Sequence, residues 1–187
     1  MNLERIQQEV KEILSEERYL HSVAVMERAE ELAKIFNEDV ETVKLTAITH
    51  DIAKELNEKE IKEYIRDNNI EIDEIEEKQL YLLHGKIGAD ICSKKYGFSE
   101  KMKRAIEIHT TGDKNMTNLD KIIFLADKTE KTRDFSDLIE AIEICNKSLD
   151  QGMIYCLDIA IQNNIKKKRL IHPNTIITRN DIMMKTK

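Results

Sequence analysis

A histidine and an aspartate stand side by side at the end of an apolar run, as His50 and Asp51 in LTAITHDIAK. Groups of this kind seldom follow residues such as Leu45 and Ile48 into a core without a partner. On a helix, adjacent side chains point about 100° apart, so both cannot face solvent while their apolar neighbours are buried. The pair therefore marks a candidate site of chemistry.

Other residues of the same chemical types recur at intervals along the chain. Asp127 ends the run IIFLAD, and a buried carboxylate needs a cation or several hydrogen-bond donors. Taken alone, His21 and His84 are more simply surface residues, and His109 is a histidine favoured by a helix C-terminus. Taken together, separate segments that each offer a His or an Asp can surround a divalent metal, and such clusters suit phosphate-ester hydrolysis.

The elements that position these residues are predicted to be helices. The chain has 187 residues, one proline and five glycines, and so few helix breakers favour an all-α fold. We expect a single domain over 1–187, with its core at about 18–135 and C-terminal helices and a tail at about 136–187. Apolar periodicity predicts helices at 3–15, 21–36, 39–56, 60–66, 79–96, 99–109, 117–128 and 136–168, the last with a break near Gly152. From Leu170 the period is lost, which predicts a short irregular tail.

Composition excludes several classes of function. The net charge of −6 argues against general nucleic-acid binding, although a local cluster of cations could still hold a small anion. No window approaches the ~18 apolar residues of a membrane span, and the N-terminus lacks a signal-peptide core. Three cysteines without a CxxC spacing indicate small core residues in a reducing compartment. We therefore expect a cytoplasmic protein that neither binds nucleic acid nor enters a membrane.

The order His21, His50-Asp51, Asp127 resembles the H…HD…D pattern of the HD-domain metal phosphohydrolases, which are all-helical. The resemblance extends over nearly the whole chain, through RYLHS, THDIAK, LLHGKIGA, AIEIHTTG, IIFLADKTEKTR and IHPNT. Together these motifs are similar to the branch that cleaves symmetrical dinucleoside tetraphosphates, such as diadenosine tetraphosphate, into two nucleoside diphosphates. Lys131 departs from the proline frequent in that branch, which alters a turn rather than the chemistry.

The resemblance implies a role for each motif residue. A metal would be held by His21, His50, Asp51 and Asp127. By analogy with the family this metal is iron, and manganese and zinc are the alternatives. His84 and His109 would face the phosphates or ligate a second ion, so one or two ions are expected, and catalysis would involve Asp51, Lys54, His84 and His109. The nucleotide, with an ADP- or GDP-like product, would contact Arg18, His84, His109, Thr110, Asp127, Arg133, Leu170, Ile171, His172, Pro173, Asn174 and Thr175. A homodimer is compatible with this interpretation.

General chemistry agrees with these roles, although simpler interpretations exist. Imidazole and carboxylate ligands together suit iron, manganese or zinc better than calcium. Lys54 follows His50 by one helical turn and Arg133 carries a fork suited to phosphate, yet most such side chains are merely solvated. The cationic run at 166–169 is more simply a helix C-terminus than a nucleic-acid site. The aromatic residues that could stack on a base, but more often belong to a core, are Tyr19, Tyr81 and Phe98.

Three functions therefore stay open at the level of sequence. The first is hydrolysis of a symmetrical dinucleoside tetraphosphate. The second is another HD-type hydrolysis, of a nucleoside mono- or triphosphate or an alarmone nucleotide. The third is a non-catalytic nucleotide sensor that retains the metal cluster.

Overall fold

The computed structural model describes residues 2–133 and 137–186, and within those ranges it contains helices and no strand. The all-α prediction is thereby confirmed. The helices are α1 Leu3–Ile13, α2 Glu16–Ile35, α3 Val40–Thr49, α4 Glu58–Asp67, α5 Glu74–Lys78, α6 His84–Tyr96, α7 Glu100–Glu107, α8 Asn118–Thr129, α9 Leu138–Lys147, α10 Leu149–Lys166 and α11 Pro173–Lys185, with a 3₁₀ turn at Leu80–Leu83.

Local sequence signals begin and end several of these helices. The Ser15 hydroxyl accepts a hydrogen bond from the backbone of Arg18 at the start of α2. Thr117 and Asp120 form the expected capping box at the start of α8. Gly97 ends α6 with a φ of 67°, a conformation that costs glycine little. These caps fix the points at which the chain enters and leaves the core.

The core lies where α2 packs against α3 and α8, and where α8 packs in turn against α7 and α10. Its largest fully buried side chains include Leu32, Ile48, Ile122, Phe124 and Leu125. Burial of one such side chain stabilises the fold by about 1.5–3 kcal/mol. The packing of α2, α3 and α8 matters for function because α2 carries His21, α8 carries Asp127, and α3 leads directly into His50 and Asp51.

Helix α3 is shorter than the predicted helix 39–56. After Thr49 the chain continues in tight turns, in which the amide of Ile52 bonds to the carbonyl of Thr49 at 3.0 Å and that of Lys54 to Asp51 at 2.9 Å. Hydrogen bonds of this i to i+3 kind wind the backbone more tightly than an α-helix does. His50 and Asp51 consequently lie in the first turn beyond α3, and both are buried.

Two further helix boundaries differ from those predicted. The segment 79–96 is divided into the 3₁₀ turn and α6, and the short helix α5 precedes it. The break between α9 and α10 falls at Ser148 rather than near Gly152, and the predicted start at 136 lies outside the described residues. Gly152 is instead a point of close contact, since a Cβ there would lie 2.7 Å from Cys145 Sγ.

The prediction of an irregular tail was wrong beyond residue 172. Pro173 is the first residue of α11, and the His172 side chain caps this helix by accepting a hydrogen bond from the Asn174 amide at 3.2 Å. Proline favours this position because the first helical N–H has no partner to lose and the ring presets φ. The irregular stretch is therefore confined to 167–172. Helix α11 packs against α10, and Ile182 on it is buried in the core.

Candidate metal centre

Buried imidazoles and carboxylates from separate elements converge at one place in the bundle. The ring centroids of His21 and His50 lie 5.6 Å apart, those of His50 and His109 5.0 Å, and those of His84 and His109 4.9 Å. The contributions are His21 from α2, His50 and Asp51 from the turn after α3, His84 from the start of α6, His109 from the turn after α7, and Asp127 from α8. The structure thus brings together the four residues of the H…HD…D order and the two further histidines that the sequence offered, His84 and His109.

The tautomer of three of these histidines is fixed by the backbone. In each, Nδ1 lies within hydrogen-bond distance of the carbonyl three residues earlier: His50 with Ala47 at 2.7 Å, His84 with Tyr81 at 2.6 Å, and His109 with Ile106 at 2.6 Å. A carbonyl only accepts, so Nδ1 carries the proton and Nε2 presents a lone pair. The same arrangement orients histidines that ligate metals.

The Nε2 lone pairs face one another and the carboxylates, an arrangement that needs a cation. His84 Nε2 lies 3.1 Å from His109 Nε2 and 3.1 Å from Asp51 Oδ1, although none of these atoms has a proton to donate. Within residues 2–133 and 137–186, three buried atoms of the cluster lack any hydrogen-bond partner: His21 Nε2, His50 Nε2 and Asp51 Oδ1. Buried polar atoms left in this way are costly, and a divalent cation would satisfy them together. The residues present therefore fit a metal.

The Asp51 carboxylate lies between two halves of the cluster. Its Oδ2 is 3.8 Å from His21 Nε2 and 3.6 Å from His50 Nε2, while Oδ1 is 3.1 Å from His84 Nε2 and 3.6 Å from His109 Nε2. Potential ligand atoms form one group with His21, His50 and Asp127, and a second with His50, Asp51 and His109. A carboxylate that faces both halves is suited to bridging them.

The other carboxylate, Asp127, is held among cations. Its Oδ1 lies 3.1 Å from His21 Nε2, and its Oδ2 is 2.6 Å from Lys128 Nζ. Burial alone would raise the pKa of Asp127, but the adjacent Lys128, with His21 and Arg133, holds that pKa well below its usual range. The Arg133 guanidinium is hydrogen-bonded to Asp127. Its Nε donates to the Asp127 carbonyl at 2.8 Å, and its Nη2 donates to the Asp127 carboxylate at 2.5 Å. Asp127 is therefore ionised.

Sequence reasoning missed one buried carboxylate of the centre. Glu130 is fully buried, and its Oε1 accepts a hydrogen bond from His21 Nδ1 at 3.2 Å. The Thr132 hydroxyl donates to the same oxygen at 2.7 Å. The residue lies inside the motif IIFLADKTEKTR, but without coordinates a Glu beyond a helix end is indistinguishable from a solvated charge. Its contact leaves His21 Nε2 aimed at Asp127.

Electrostatics keep the cluster ready to accept a cation. Burial lowers the pKa of His50 to about 4, and burial likewise lowers the pKa values of His84 and His109. Burial opposes ionisation of Asp51, yet the imidazoles of His50, His109 and His84 hold its pKa far below the usual range. At neutral pH the imidazoles of His50, His84 and His109 are therefore neutral and the Asp51 and Asp127 carboxylates are charged, which are the protonation states that metal binding requires.

Two further cations border the cluster. Arg18 Nη1 lies 3.1 Å from Asp51 Oδ2, and Lys54 Nζ lies 3.1 Å from His84 Nε2 and 3.8 Å from Asp51 Oδ1. Burial lowers the pKa of Lys54, and the opposing effect of the nearby Asp51 carboxylate, which raises this pKa, is smaller. Both side chains remain about a third exposed, so each can reach an anion that approaches from solvent.

A cavity of about 250 Å³ opens beside the centre. Thr110 connects the two, since it lines the cavity and its hydroxyl lies 3.3 Å from His109 Nε2. The residues expected to face a nucleotide and found in this wall are Thr110, Leu170, His172 and Thr175. Tyr81, which the sequence offered as an aromatic residue that could stack on a base, also lies in the wall. The wall residues that the sequence missed include Gln79, Lys128, Asn163, Asn164, Lys167 and Arg169. Asn174 lines a neighbouring cavity of about 190 Å³. Ile171 and Pro173, which were also expected to contact the nucleotide, are not among the described residues that line these two cavities.

The chain belongs to the HD domain family, which matches residues 18–132. A protein of Halalkalibacterium halodurans named symmetrical bis(5'-nucleosyl)-tetraphosphatase is 36% identical over the full length of both chains. One of the same name from Bacillus subtilis is 33% identical, over 96% of this chain and 97% of its own. A crystal structure from Clostridium acetobutylicum, described as a predicted HD superfamily hydrolase involved in NAD metabolism, superposes with a TM-score of 0.95 at 34% identity over 100% of this chain and 99% of its own. Among the described residues, every helix is too short or too polar to cross a membrane.

Proposed function

We propose that this chain hydrolyses symmetrical dinucleoside tetraphosphates, with diadenosine tetraphosphate giving two ADP. The observation that carries the proposal is the convergence of Nε2 lone pairs on the Asp51 and Asp127 carboxylates beside a cavity bordered by cations. The full-length relatives support it, because two of them bear the name of this activity. HD-domain hydrolases use divalent metals, and the chemistry of the cluster agrees with that requirement.

The metal in this proposal is a divalent transition ion, iron first, with manganese or zinc as alternatives. His21, His50, Asp51 and Asp127 would hold it. If a second ion is bound, His84 and His109 would ligate that ion. When bound, the metal would polarise a phosphoryl oxygen and lower the pKa of a water toward neutrality. Mixed nitrogen and oxygen ligands favour these ions over calcium or magnesium.

The reaction needs a water and the bond at the centre of the tetraphosphate. The water oxygen bonds to one of the two central phosphorus atoms, and the bond from that phosphorus to the central bridging oxygen breaks. One ADP leaves with the bridging oxygen and the other carries the water oxygen. The neutral imidazoles of His84 and His109 carry Nε2 lone pairs, which can accept the water proton because Nδ1 of each ring already bonds to a backbone carbonyl.

Cations on the chain would neutralise the phosphates during this step. Arg18 and Lys54 lie on the Asp51 side of the centre, and Lys128 lies on the Asp127 side. Arg133 is held by Asp127, so it reaches a phosphate only by exchanging this partner. Positive charge that is already oriented stabilises a leaving ADP better than solvent does.

The 250 Å³ cavity is proposed to hold one nucleoside. Lys167 and Arg169 bring positive charge to its wall, and Asn163 and Asn164 bring carboxamides that can pair with a base edge. His172 closes one side, where its Nε2 lies 2.8 Å from Asp73 Oδ2. The segment from Leu170 to Thr175 therefore serves as wall and as helix start at once.

Three wider expectations stay predictions. The single-domain prediction is supported by a core cluster that extends from Ile6 to Ile182. A cytoplasmic location agrees with cysteines that are all buried and, among the described residues, free of disulfides. Assembly as a homodimer is tested by sedimentation, as a mass of twice 21.9 kDa.

The experiment compares turnover across nucleotides and metals. The protein is stripped of metal, reloaded separately with iron, manganese or zinc, and assayed against dinucleoside polyphosphates, nucleoside mono- and triphosphates and alarmone nucleotides. The proposal expects kcat/KM to be highest for symmetrical tetraphosphates and to vanish in stripped protein. A higher kcat/KM for a mononucleotide or an alarmone would favour another HD-type reaction, and binding without turnover would favour a sensor.

A further inference from the structure

Besides the cavities of about 250 Å³ and 190 Å³, a further cavity, which we call the second cavity, shares Tyr81 with the first. It measures about 230 Å³, close to the 250 Å³ of the first cavity. Tyr81 lines both of them and is 51% exposed, so it borders two spaces of similar size. Tyr81 is also anchored to the metal centre, because its carbonyl accepts the hydrogen bond from His84 Nδ1 at 2.6 Å.

The walls of the second cavity are mostly apolar. Ala53 and Ile61 belong to a small buried cluster of their own, and the half-buried Leu56 and Leu80 pack on that cluster at the cavity wall. Glu58 is the acidic residue of the wall, and its carboxylate lies 2.5 Å from Lys62 Nζ. A flat apolar surface next to an exposed aromatic ring is the usual receptor for a base, while a carboxylate at the edge can accept from ribose hydroxyls.

The second cavity also reaches the chemistry directly. Lys54 and His84 are part of its wall, and Lys54 Nζ lies within 3.8 Å of Asp51 Oδ1. Thr110 gives the first cavity an equivalent connection through His109. The His84–His109 pair, with its Nε2 atoms 3.1 Å apart, therefore stands between two cavities of similar volume.

The geometry points to the groove formed by Ala53, Lys54, Leu56, Ile61, Leu80 and Tyr81 as the binding site of the second nucleoside of the dinucleotide. This inference rests on the proposed function, since only a substrate with a nucleoside at each end needs two such sites. The first cavity holds one nucleoside, the tetraphosphate passes the His84–His109 pair, and the other base stacks beside Tyr81. Lys54 contacts the phosphates of this half, which leaves as the second ADP.

The test fills the groove without touching the first cavity. Leu56→Trp places an indole in the groove, Leu56→Ala widens it, and Ile35→Trp is the matched control at an exposed position in α2. Each metal-loaded protein is titrated with ADP and with a diadenosine tetraphosphate analogue that carries a methylene in place of the central bridging oxygen. Circular dichroism checks that each variant is folded.

Wild type and Ile35→Trp are expected to bind the analogue about tenfold or more tightly than ADP, the size of effect that one stacked base supplies. In Leu56→Trp this preference should fall close to one while the ADP affinity stays within twofold, and Leu56→Ala should retain most of it. The inference would be overturned if Leu56→Trp kept the wild-type preference for the analogue, or if it lost affinity for ADP as much as for the analogue. It would also be overturned if wild type showed no preference. Binding is read without turnover, so a failure of the proposed hydrolysis in the wild-type assay is seen separately.

Discussion

At the scale of single residues, the centre depends on which nitrogen of each histidine carries the proton. Residue types and their order were enough to predict that His21, His50, Asp51 and Asp127 lie together. They could not predict the hydrogen bonds from Nδ1 to backbone carbonyls, which depend on the turn that each histidine occupies. These bonds determine that Nε2 lone pairs, rather than N–H donors, face the carboxylates.

Glu130 is expected to orient His21 for the metal. Glu130→Gln keeps the shape of the side chain but removes its charge, so the hydrogen bond to His21 Nδ1 weakens and the ring is no longer held in one tautomer. We expect metal affinity to fall about 10- to 100-fold, as for other partners of metal-ligating histidines. Competition with a chelator measures this change.

The control for that variant is Glu77→Gln, an exposed carboxylate in α5. It removes the same charge at a distance from the centre and should leave metal affinity unchanged. Equal metal affinity in Glu130→Gln and Glu77→Gln would show that Glu130 has no influence on the ligand His21.

At the scale of elements, periodicity predicts helices well and their ends poorly. Helix α3 stops at Thr49 because i to i+3 bonds take over, and apolar spacing alone does not signal that change. Pro173 was interpreted as a break although it begins α11. The cavity wall combines α10 with the segment before α11 and depends on long-range packing. The family resemblance indicated Leu170, His172 and Thr175, but periodicity could not predict that α10 supplies Asn163 and Asn164.

The helical structure of α11 also changes how the C-terminal segment must be tested. Deletion from Leu170 would remove buried Ile182 and a helix packed on α10, so a loss of ADP binding would reflect unfolding. Point substitution at Arg169, which lies in the cavity wall, isolates the contribution of the wall itself.

Gly85 is expected to set the spacing between α6 and α7. A Cβ there would lie 2.6 Å from the Glu107 carbonyl oxygen and 3.1 Å from that of Ile106, which orients His109. Gly85→Ala should therefore push α6 away, destabilise the fold by about 1–3 kcal/mol and weaken metal binding. Urea unfolding and metal titration measure the two effects.

Gly97→Ala is the control for that experiment, because it adds backbone strain at a glycine without pushing two helices apart. Its φ of 67° makes alanine unfavourable, but a Cβ at Gly97 meets no described atom within 4 Å. This variant should lose stability and keep its metal affinity. If Gly85→Ala also kept normal metal affinity, the close contact between α6 and α7 would be unimportant for the centre.

At the scale of the whole molecule, the buried cluster of imidazoles and carboxylates lowers the stability of the metal-free fold, because some of its polar atoms lack hydrogen-bond partners. The folded-state pKa of His50 is about 4 against an ordinary 6.5, so the unfolded chain binds the proton first as the pH falls. The stability that neutral His50 contributes is fully present above pH 6.5 and is lost as the pH falls toward 4. His84 and His109 are shifted in the same direction.

We therefore expect the metal-free protein to become less stable between pH 6.5 and 4.5, with His50 alone contributing up to about 3 kcal/mol if the pH reached 4. Urea unfolding of metal-free protein at several pH values measures the slope, and His50→Asn should reduce it. A stability that stays constant over this interval would contradict the burial of neutral imidazoles.

The most direct test of the central claim is the product of a single turnover. Metal-loaded protein in excess over diadenosine tetraphosphate is quenched at intervals, and the nucleotides are separated by chromatography. The account predicts two ADP for each dinucleotide, and none from Asp51→Ala, which should remain helical but lose its metal. Formation of ATP and AMP, or normal turnover and metal content in Asp51→Ala, would contradict it.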